Sequence, residues 1–366
     1  MNDSHFNKEN IFVIMKLLFA ALEYDYGIPD RGESGEIKFF LPALKDSFED
    51  VVLFPIEKNG FPNDIKGLQK RLLDFVLEVQ PDVVFFVLMK DEILPETVKT
   101  LSEKYITINW FCDDQWRFDN YTQYIAPLFS LPITVDKYSL SKYRKIGCDT
   151  VFLSQWAAFD YCENLNLIKY NDGGGGGYKY NVSFVGSKNA TRSWIIYELK
   201  KRGVIVECFG SGWKNGRIGY EEMKDVFLYS KINLNLSNSM PSDYRFIIYL
   251  LKNIFRLPIR ETLRNIREFM FSLKRMEQIK ARNFEIPGCG GFELSQYCLD
   301  LENYYKIGEE ILVFSNIDEL ERLIHYYLSN DSERENIRDR AYERTKQHRY
   351  TYRFKEIAQY IESYNK

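Results

Sequence analysis

Along the first half of the chain, short unbroken apolar runs alternate with longer segments whose apolar positions recur every three or four residues. The runs "KLLFAA" (16–21), "VVLF" (51–54), "PDVVFFVL" (81–88), "ITINWF" (106–111), "PITV" (132–135) and "TVFLS" (150–154) predict buried strands. Between them, 37–48, 65–79, 95–105, 120–129 and 137–145 predict helices, with Pro95 placed where a helix starts. Apolar strands separated by helices predict a parallel sheet covered on both faces.

The alternation restarts at 180. "YNVSFVGS" (180–187) predicts a strand and a turn, 191–203 a helix ending at Gly203, and "VIVECFGSGW" (204–213) a strand entering a glycine-rich loop. A helix over 220–231, a strand over 232–239, a short helix over 279–288 and a strand over 309–316 follow. Helix 317–328 then carries Leu320, Leu323, Ile324 and Tyr327 on one face, and two more helices close the chain. The expected fold class is α/β, with two tandem Rossmann-like doubly wound domains. In such sheets ligands bind beyond the carboxyl ends of the strands, which here points to an interdomain cleft. The expected divisions are a disordered leader (1–14), a first domain (15–165), a linker (166–179), a second domain (180–347) and a C-terminal helix (348–366). The linker holds five consecutive glycines, Gly173 to Gly177, which no packed element needs.

Composition narrows the chemistry. A chain of 366 residues suits two cores, and 45% hydrophobic with 28% charged residues describes a globular protein. A net charge of −3 excludes a globally basic nucleic-acid binder, and no nucleic-acid partner is expected. Six scattered cysteines without a C-x-x-C pair point to reduced thiols in the cytoplasm, not to a disulfide framework or a zinc site. With only three histidines, a catalytic base is expected to be a carboxylate and no metal site is expected. The apolar run at 11–22 is broken by Lys16 and is too short to span a bilayer.

The stretch "ARNFEIPGCGGFE" (281–293) concentrates candidate chemistry. A helix N-terminus facing a cleft suits a diphosphate, glycines permit close approach of a ligand, and a carboxylate one turn in can accept from vicinal ribose hydroxyls. Arg282, Glu285, Gly288, Gly290 and Gly291 fit that scheme. The plain alternative is a helix C-cap with an exposed Arg–Glu pair. Gly186 and Ser187 end the first strand of the second domain, and Arg192 opens the next helix, where phosphate contacts occur in this architecture; Lys188 is a further candidate. Each of these basic residues reads equally as a solvated charge at a helix start. Trp213, in the loop "GSGWKNGR", is a candidate wall for a nucleobase or a core tryptophan. In the first domain, Asp113 and Asp114 follow a strand directly and suit a general base for an acceptor hydroxyl, or a turn or helix cap. Arg31 and Glu36, in and beside the loop after the first strand, are candidate donor or acceptor contacts.

Together, "YNVSFVGS", "VECFGSGW", "SKINLNLSNS", "IKARNFEIPGCGGF" and "YYKIGEEILVF", with "ALEYDYGIPDRG" and "TINWFCDDQWRFDNY", resemble the CgeB-like (spore-maturation-protein-like) glycosyltransferases. These belong to the GT-B group with a glycosyltransferase group 1 C-terminal domain, and the likeness runs from about Met15 to the end. The resemblance implies a bacterial, cytoplasmic, metal-independent enzyme without a cofactor. It would use a nucleotide-sugar donor, a UDP-sugar foremost, and a hydroxyl acceptor on a glycan, lipid-linked glycan or protein. Glu285 matches the glutamate that holds the donor ribose, and the following glycines match the turn under the diphosphate. Glu277 stands eight positions before Glu285, the E-x7-E spacing of retaining relatives, although Glu285 and Glu293 share that spacing. Gln115 departs from the histidine that the family often carries after the two aspartates. A non-catalytic nucleotide-sugar or glycan-binding protein, or an epimerase, fits the same architecture.

Residues 240–275 break the compact rhythm with Arg245, Lys252, Arg256, Arg260, Arg264, Arg267, Lys274 and Arg275. Leu263, Ile266, Met270 and Leu273 share one helical face there. A basic amphipathic segment suits peripheral contact with an anionic membrane at the inner face, or a helical hairpin packed on its own domain.

Overall fold

The computed structural model describes residues 13–89, 91–165, 167, 177–239, 241, 243–253, 263, 267, 274 and 276–364. Residues 1–12 of the expected leader, most of the glycine run and most of the basic insert, including Arg256, Arg260, Arg264, Ile266, Met270, Leu273 and Arg275, lie outside the described residues. The chain divides into two compact units: residues up to Trp156 together with Arg349 onward, and Ala157–His348. The second unit thus begins before the expected boundary at 165, and the C-terminal helix belongs with the first.

The first unit is a six-stranded parallel sheet in the order β2-β1-β3-β4-β5-β6. Its strands are β1 (Val13–Ala21), β2 (Phe48–Pro55), β3 (Val83–Phe86), β4 (Ile106–Phe111), β5 (Leu131–Thr134) and β6 (Phe152–Leu153). β1 starts at Val13, so the last two positions of the expected leader belong to the sheet. β2 likewise begins at Phe48, inside the segment expected to be helical, because the helix before it ends at Lys45. Period-two alternation decides the packing. Leu18, Ala20, Val84 and Phe86 join a core with Leu68, Leu72 and Val76 of helix Ile65–Val79 and with Val98 and Leu101 of helix Pro95–Ser102. The intervening Phe85 and, on the next strand, Trp110 meet Phe354 of the closing helix Tyr350–Tyr364, with ring centroids 5.9 and 5.8 Å away. In that helix Phe354, Ile357, Ala358 and Ile361 are fully buried at i, i+3, i+4 and i+7, so the end of the chain covers the sheet where it began.

The second unit is a five-stranded parallel sheet in the order β11-β10-β9-β7-β8. Its strands are β7 (Tyr180–Val185), β8 (Glu207–Phe209), β9 (Ser230–Asn235), β10 (Glu293–Gln296) and β11 (Leu312–Phe314). β10 has no counterpart in the sequence expectations. Its four residues "ELSQ" open with a glutamate, so the hydrophobic pattern of a buried strand is missing. Helices Ala190–Lys201 and Ile317–Ser329 cover one face, burying Trp194, Ile195, Leu199, Leu320, Ile324 and Tyr327 in one core with β7, β9 and β10. The unit opens and closes at one point, where the Ala158 amide donates to the His348 carbonyl at 2.7 Å.

Phe354→Ala removes a buried ring that touches both Phe85 and Trp110. Truncation should cost about 3–5 kcal/mol. Urea unfolding should show a transition displaced by that amount.

Candidate functional site

In each sheet the chain works outward to one edge, then reverses: at β1/β3 in the first unit and at β7/β9 in the second. Such reversals leave a crevice between neighbouring carboxyl ends, where the following loops diverge. At the second, β7 runs into Gly186 and Ser187, and β9 runs into Leu236 and Ser237. Arg192 bridges this gap. It lies in the first turn of helix Ala190–Lys201, whose cap Asn189 accepts from the Arg192 amide at 2.9 Å. Its Nε and Nη2 donate to the Leu236 carbonyl at 3.1 and 2.9 Å, and Nη1 donates to the Ser187 carbonyl at 2.9 Å. Burial, and then the charge of Arg282, push the Arg192 pKa down to about 10.

Arg282 opens helix Arg282–Gly288 and donates from Nε to the carbonyl of Val185, the last residue of β7, at 3.3 Å. One turn on, Glu285 is 4% exposed and accepts from Arg282 Nη1. The carboxylate is therefore buried in the second unit and Arg282 partly so, unlike the exposed pair of the C-cap alternative. Lys280, just upstream, donates from Nζ to Asn238 Oδ1 at 2.7 Å. Two arginines, a lysine and a buried carboxylate thus meet the carboxyl ends of β7 and β9. Trp213 closes the β8 side: its Nε1 donates to the Gly186 carbonyl at 2.8 Å, and its ring stands edge-on to Phe184. Glu277 Oε1 accepts from Gln296 Nε2 at 2.8 Å. Burial lifts the Glu277 pKa to about 7, although Lys280, Ser239 and Arg192 pull it down.

The glycines after Glu285 do not join this group. Gly288, Gly290 and Gly291 lie at the far end of helix Arg282–Gly288, where the chain enters β10 at the amino end of the sheet. All three are buried, and each has a packing reason. A Cβ at Gly288 would stand 2.5 Å from Ala158 Cβ; Gly290 has φ +74°; a Cβ at Gly291 would meet Asn233 Nδ2 at 2.7 Å. Between them, Cys289 Sγ lies 3.3 Å from Cys162 Sγ in the interior. The expected diphosphate turn is therefore a helix-to-strand packing joint.

Glu293 is equally interior. Its Oε1 accepts from Asn235 Nδ2 at 2.9 Å and Asn283 Nδ2 at 3.0 Å, while Oε2 is buried without a partner. Burial lifts its pKa to about 8. Asn233 and Asn235 carry no expectation from the sequence, yet both are buried in β9 and tie it to its neighbours. A signal exists: "INLNLS" sets asparagines at period two inside an otherwise apolar strand.

In the first unit the two aspartates separate. Asp114 is 1% exposed, and its oxygens accept from Thr122 Oγ1 at 2.7 Å, Thr134 Oγ1 at 2.6 Å and the Tyr143 hydroxyl at 2.7 Å. With both oxygens engaged and burial lifting its pKa to about 6, Asp114 is a structural carboxylate, not a base open to an acceptor. Asp113, half-buried, stands just before the short helix Asp114–Arg117. Desolvation of the hydroxyl raises the Tyr26 pKa, although the residue as a whole is exposed, and the charges of Asp25, Asp113 and Glu36 add to it. Glu36 is itself raised by burial. Arg31 is exposed and lies over the Tyr26 ring at 5.3 Å. An acidic patch of Asp25, Glu36 and Asp113 with Tyr26 thus forms beyond β1 and β4. Among the described residues, no group of three or more His, Cys, Asp or Glu could hold a metal.

Residues 192–359 match the model of a family described as glycosyl transferase-like. No curated protein matches the chain. Among solved structures, it is similar to Anabaena HepE in complex with UDP and glucose, at 12% identity, with 95% of this chain and 100% of that one covered and a TM-score of 0.57. It is similar to a glycosyltransferase from Rickettsia africae, at 10% identity, 95% and 98% coverage and a TM-score of 0.57. A Listeria monocytogenes protein assigned as a UDP-N-acetylglucosamine 2-epimerase is 10% identical, with 96% and 97% coverage and a TM-score of 0.53. These likenesses define the fold class as GT-B, two Rossmann-like α/β units in tandem.

Glu293 makes stability depend on pH. Its folded pKa is raised from 4.5 to about 8, so the unfolded chain gives up this proton first as pH rises. The stabilisation is complete below 4.5 and is lost as pH climbs through about 8. Glu293→Gln cannot ionise. Its melting temperature relative to wild type should therefore rise across that window, read by calorimetry at half-unit pH steps.

Proposed function

We propose that the protein is a glycosyltransferase that moves a sugar from a nucleoside diphosphate, UDP foremost, to an acceptor hydroxyl on a glycan, lipid-linked glycan or protein. The observation that carries this reading is the meeting of Arg192, Arg282 and Glu285 at the β7/β9 reversal. As the glycosidic bond breaks, negative charge builds on the diphosphate. Fixed guanidinium groups beside a strand reversal favour that charge more than they favour the intact donor. In this reading Arg282, backed by Arg192, supplies the charge that a metal supplies elsewhere, and Glu285 accepts from the ribose hydroxyls. Ser187, exposed at the end of β7, offers its hydroxyl and amide to the phosphates, with Lys188 beside it. Trp213 walls the base side. In a single displacement with inversion, Asp113 takes the acceptor proton, since Asp114 is already engaged by three hydroxyls.

The sequence motifs support membership of the CgeB-like subfamily and a cytoplasmic setting. Among the described residues no helix is long and apolar enough to cross a membrane. Helix Tyr244–Asn253 nevertheless exposes Tyr244, Ile247, Ile248 and Leu251, which supports peripheral contact with an anionic bilayer.

Calorimetric titration with UDP, GDP, ADP, CMP and dTDP without metal should give a selective response to UDP. Glu285→Gln should weaken that response at least about tenfold, the scale of a lost charge-assisted hydrogen bond. Asp113→Asn should leave UDP affinity unchanged and lower kcat by about 10²-fold or more. A flat panel, or full affinity in Glu285→Gln, removes this site.

A further inference from the structure

A cavity of about 530 Å³ opens in the second unit beside the arginine group, and, apart from the E-x7-E spacing that singles out Glu277, none of the roles above uses it. It is lined by residues that end two strands, Gln296 of β10 and Phe314 of β11, and by the first turns of helix Ala190–Lys201, with Trp194 and Ile195. Glu277 and Tyr297 line it as well. The volume falls in the range of small-molecule sites, about 300–1,000 Å³.

Two of its lining residues carry buried polar atoms with no partner. Trp194 is 3% exposed, and its indole Nε1 has no acceptor. Glu277 Oε1 is fixed by Gln296, while Oε2 is buried and unmatched. Leaving such groups unpaired costs about 1–3 kcal/mol each. A ligand that satisfies both must accept a hydrogen bond at one point and donate one at another. Hydroxyl groups do either.

Charge narrows the class further. The guanidinium lining this cavity, Arg245, is occupied by Asp243 at 2.6 Å and Asp318 at 2.8 Å. With that cation shared between two carboxylates and Glu277 on the wall, the lining offers an anion no unshared positive charge. Aromatic and aliphatic groups such as Trp194, Ile195 and Phe314 share the remaining surface with the uncharged polar Thr191, Ser315 and Asn316. Uncharged polar groups interspersed with aromatic and aliphatic ones suit a ring with hydroxyls at its rim and C–H bonds on its faces.

We propose that this cavity is a binding site for a neutral saccharide ring, with the Trp194 indole N–H and Glu277 Oε2 as its two polar anchors. The ring could come from the sugar of a bound donor or from a separate glycan. The second source does not depend on the donor reading above.

The test is saturation-transfer NMR and calorimetry with glucose, galactose, N-acetylglucosamine and rhamnose, each alone and with UDP, using glucose 6-phosphate and glucuronate as charged controls. At least one neutral sugar should bind saturably and the charged analogues should not. Trp194→Phe, which keeps the ring and loses the N–H, and Glu277→Gln should each raise its Kd about fivefold to tenfold. Trp194→Phe should leave UDP affinity within twofold. Competition by the UDP-sugar but not by UDP assigns the cavity to the donor's sugar; binding indifferent to both assigns it to a separate glycan. If UDP binds and no neutral sugar saturates, or if neither variant changes the Kd, the saccharide site is wrong. If UDP fails to bind, the donor reading falls while the sugar result still stands or falls by itself.

Discussion

Two carbonyls at the reversal of strand order in the second sheet have left the ladder, that of Ser187 at the surface and that of the buried Leu236, and the buried one needs a donor. Arg192 meets that need by donating to Ser187 and Leu236 together. The clamp fixes the loops after β7 and β9 relative to each other, and with them the opening of the crevice. It also sets the electrostatics. A guanidinium held in this partly desolvated place beside Arg282 is less comfortable as a cation, so an incoming anion relieves both groups. The rest of the site is built on that frame: Arg282 reaches the last carbonyl of β7, Glu285 answers Arg282, and Trp213 seals Gly186 from the other side.

Much of this frame was legible in the sequence, because parallel sheets buried on both faces write themselves as apolar runs. The α/β class, most strands and the amphipathic helices followed from period alone. Part of what failed to show shares one cause: polar residues used inside. β10 begins with the buried Glu293, so no apolar run marks it. Asp114 looks like a loop carboxylate until Thr122, Thr134 and Tyr143, far apart in the chain, are seen around it. Gly288, Gly290 and Gly291 read as a ligand turn because small residues serve ligands and packing alike, and only the direction of the helix separates the two uses. Arg192 and Arg282 were legible as basic residues at helix starts. Their joint hold on one strand reversal needed the fold.

The two units handle interior acids by different means. In the first, three hydroxyls hold both oxygens of Asp114, which offsets much of its burial and leaves the pKa at about 6. In the second, two side-chain amides meet one oxygen of Glu293 at 2.9 and 3.0 Å, the other oxygen is unmatched, and the pKa stands at about 8. Donors on both oxygens thus accompany the smaller rise and donors on one the larger, so of the two acids the one beneath helix Arg282–Gly288 is the more strongly biased toward its neutral form.

The hydrogen bond from Ala158 to His348 carries a consequence for how such a chain can change over time. Everything between those residues is one contiguous stretch of gene whose two ends meet at a single point, while the first unit is completed by the helix that follows. Exchanging the second unit by recombination therefore requires two junctions that fall side by side in space. The hydrophobic seal made by Phe354 and its neighbours would be inherited unchanged. An arrangement of this kind lets the portion that bears the arginine clamp diversify as a cassette, while the host sheet keeps both its first strand and its last helix.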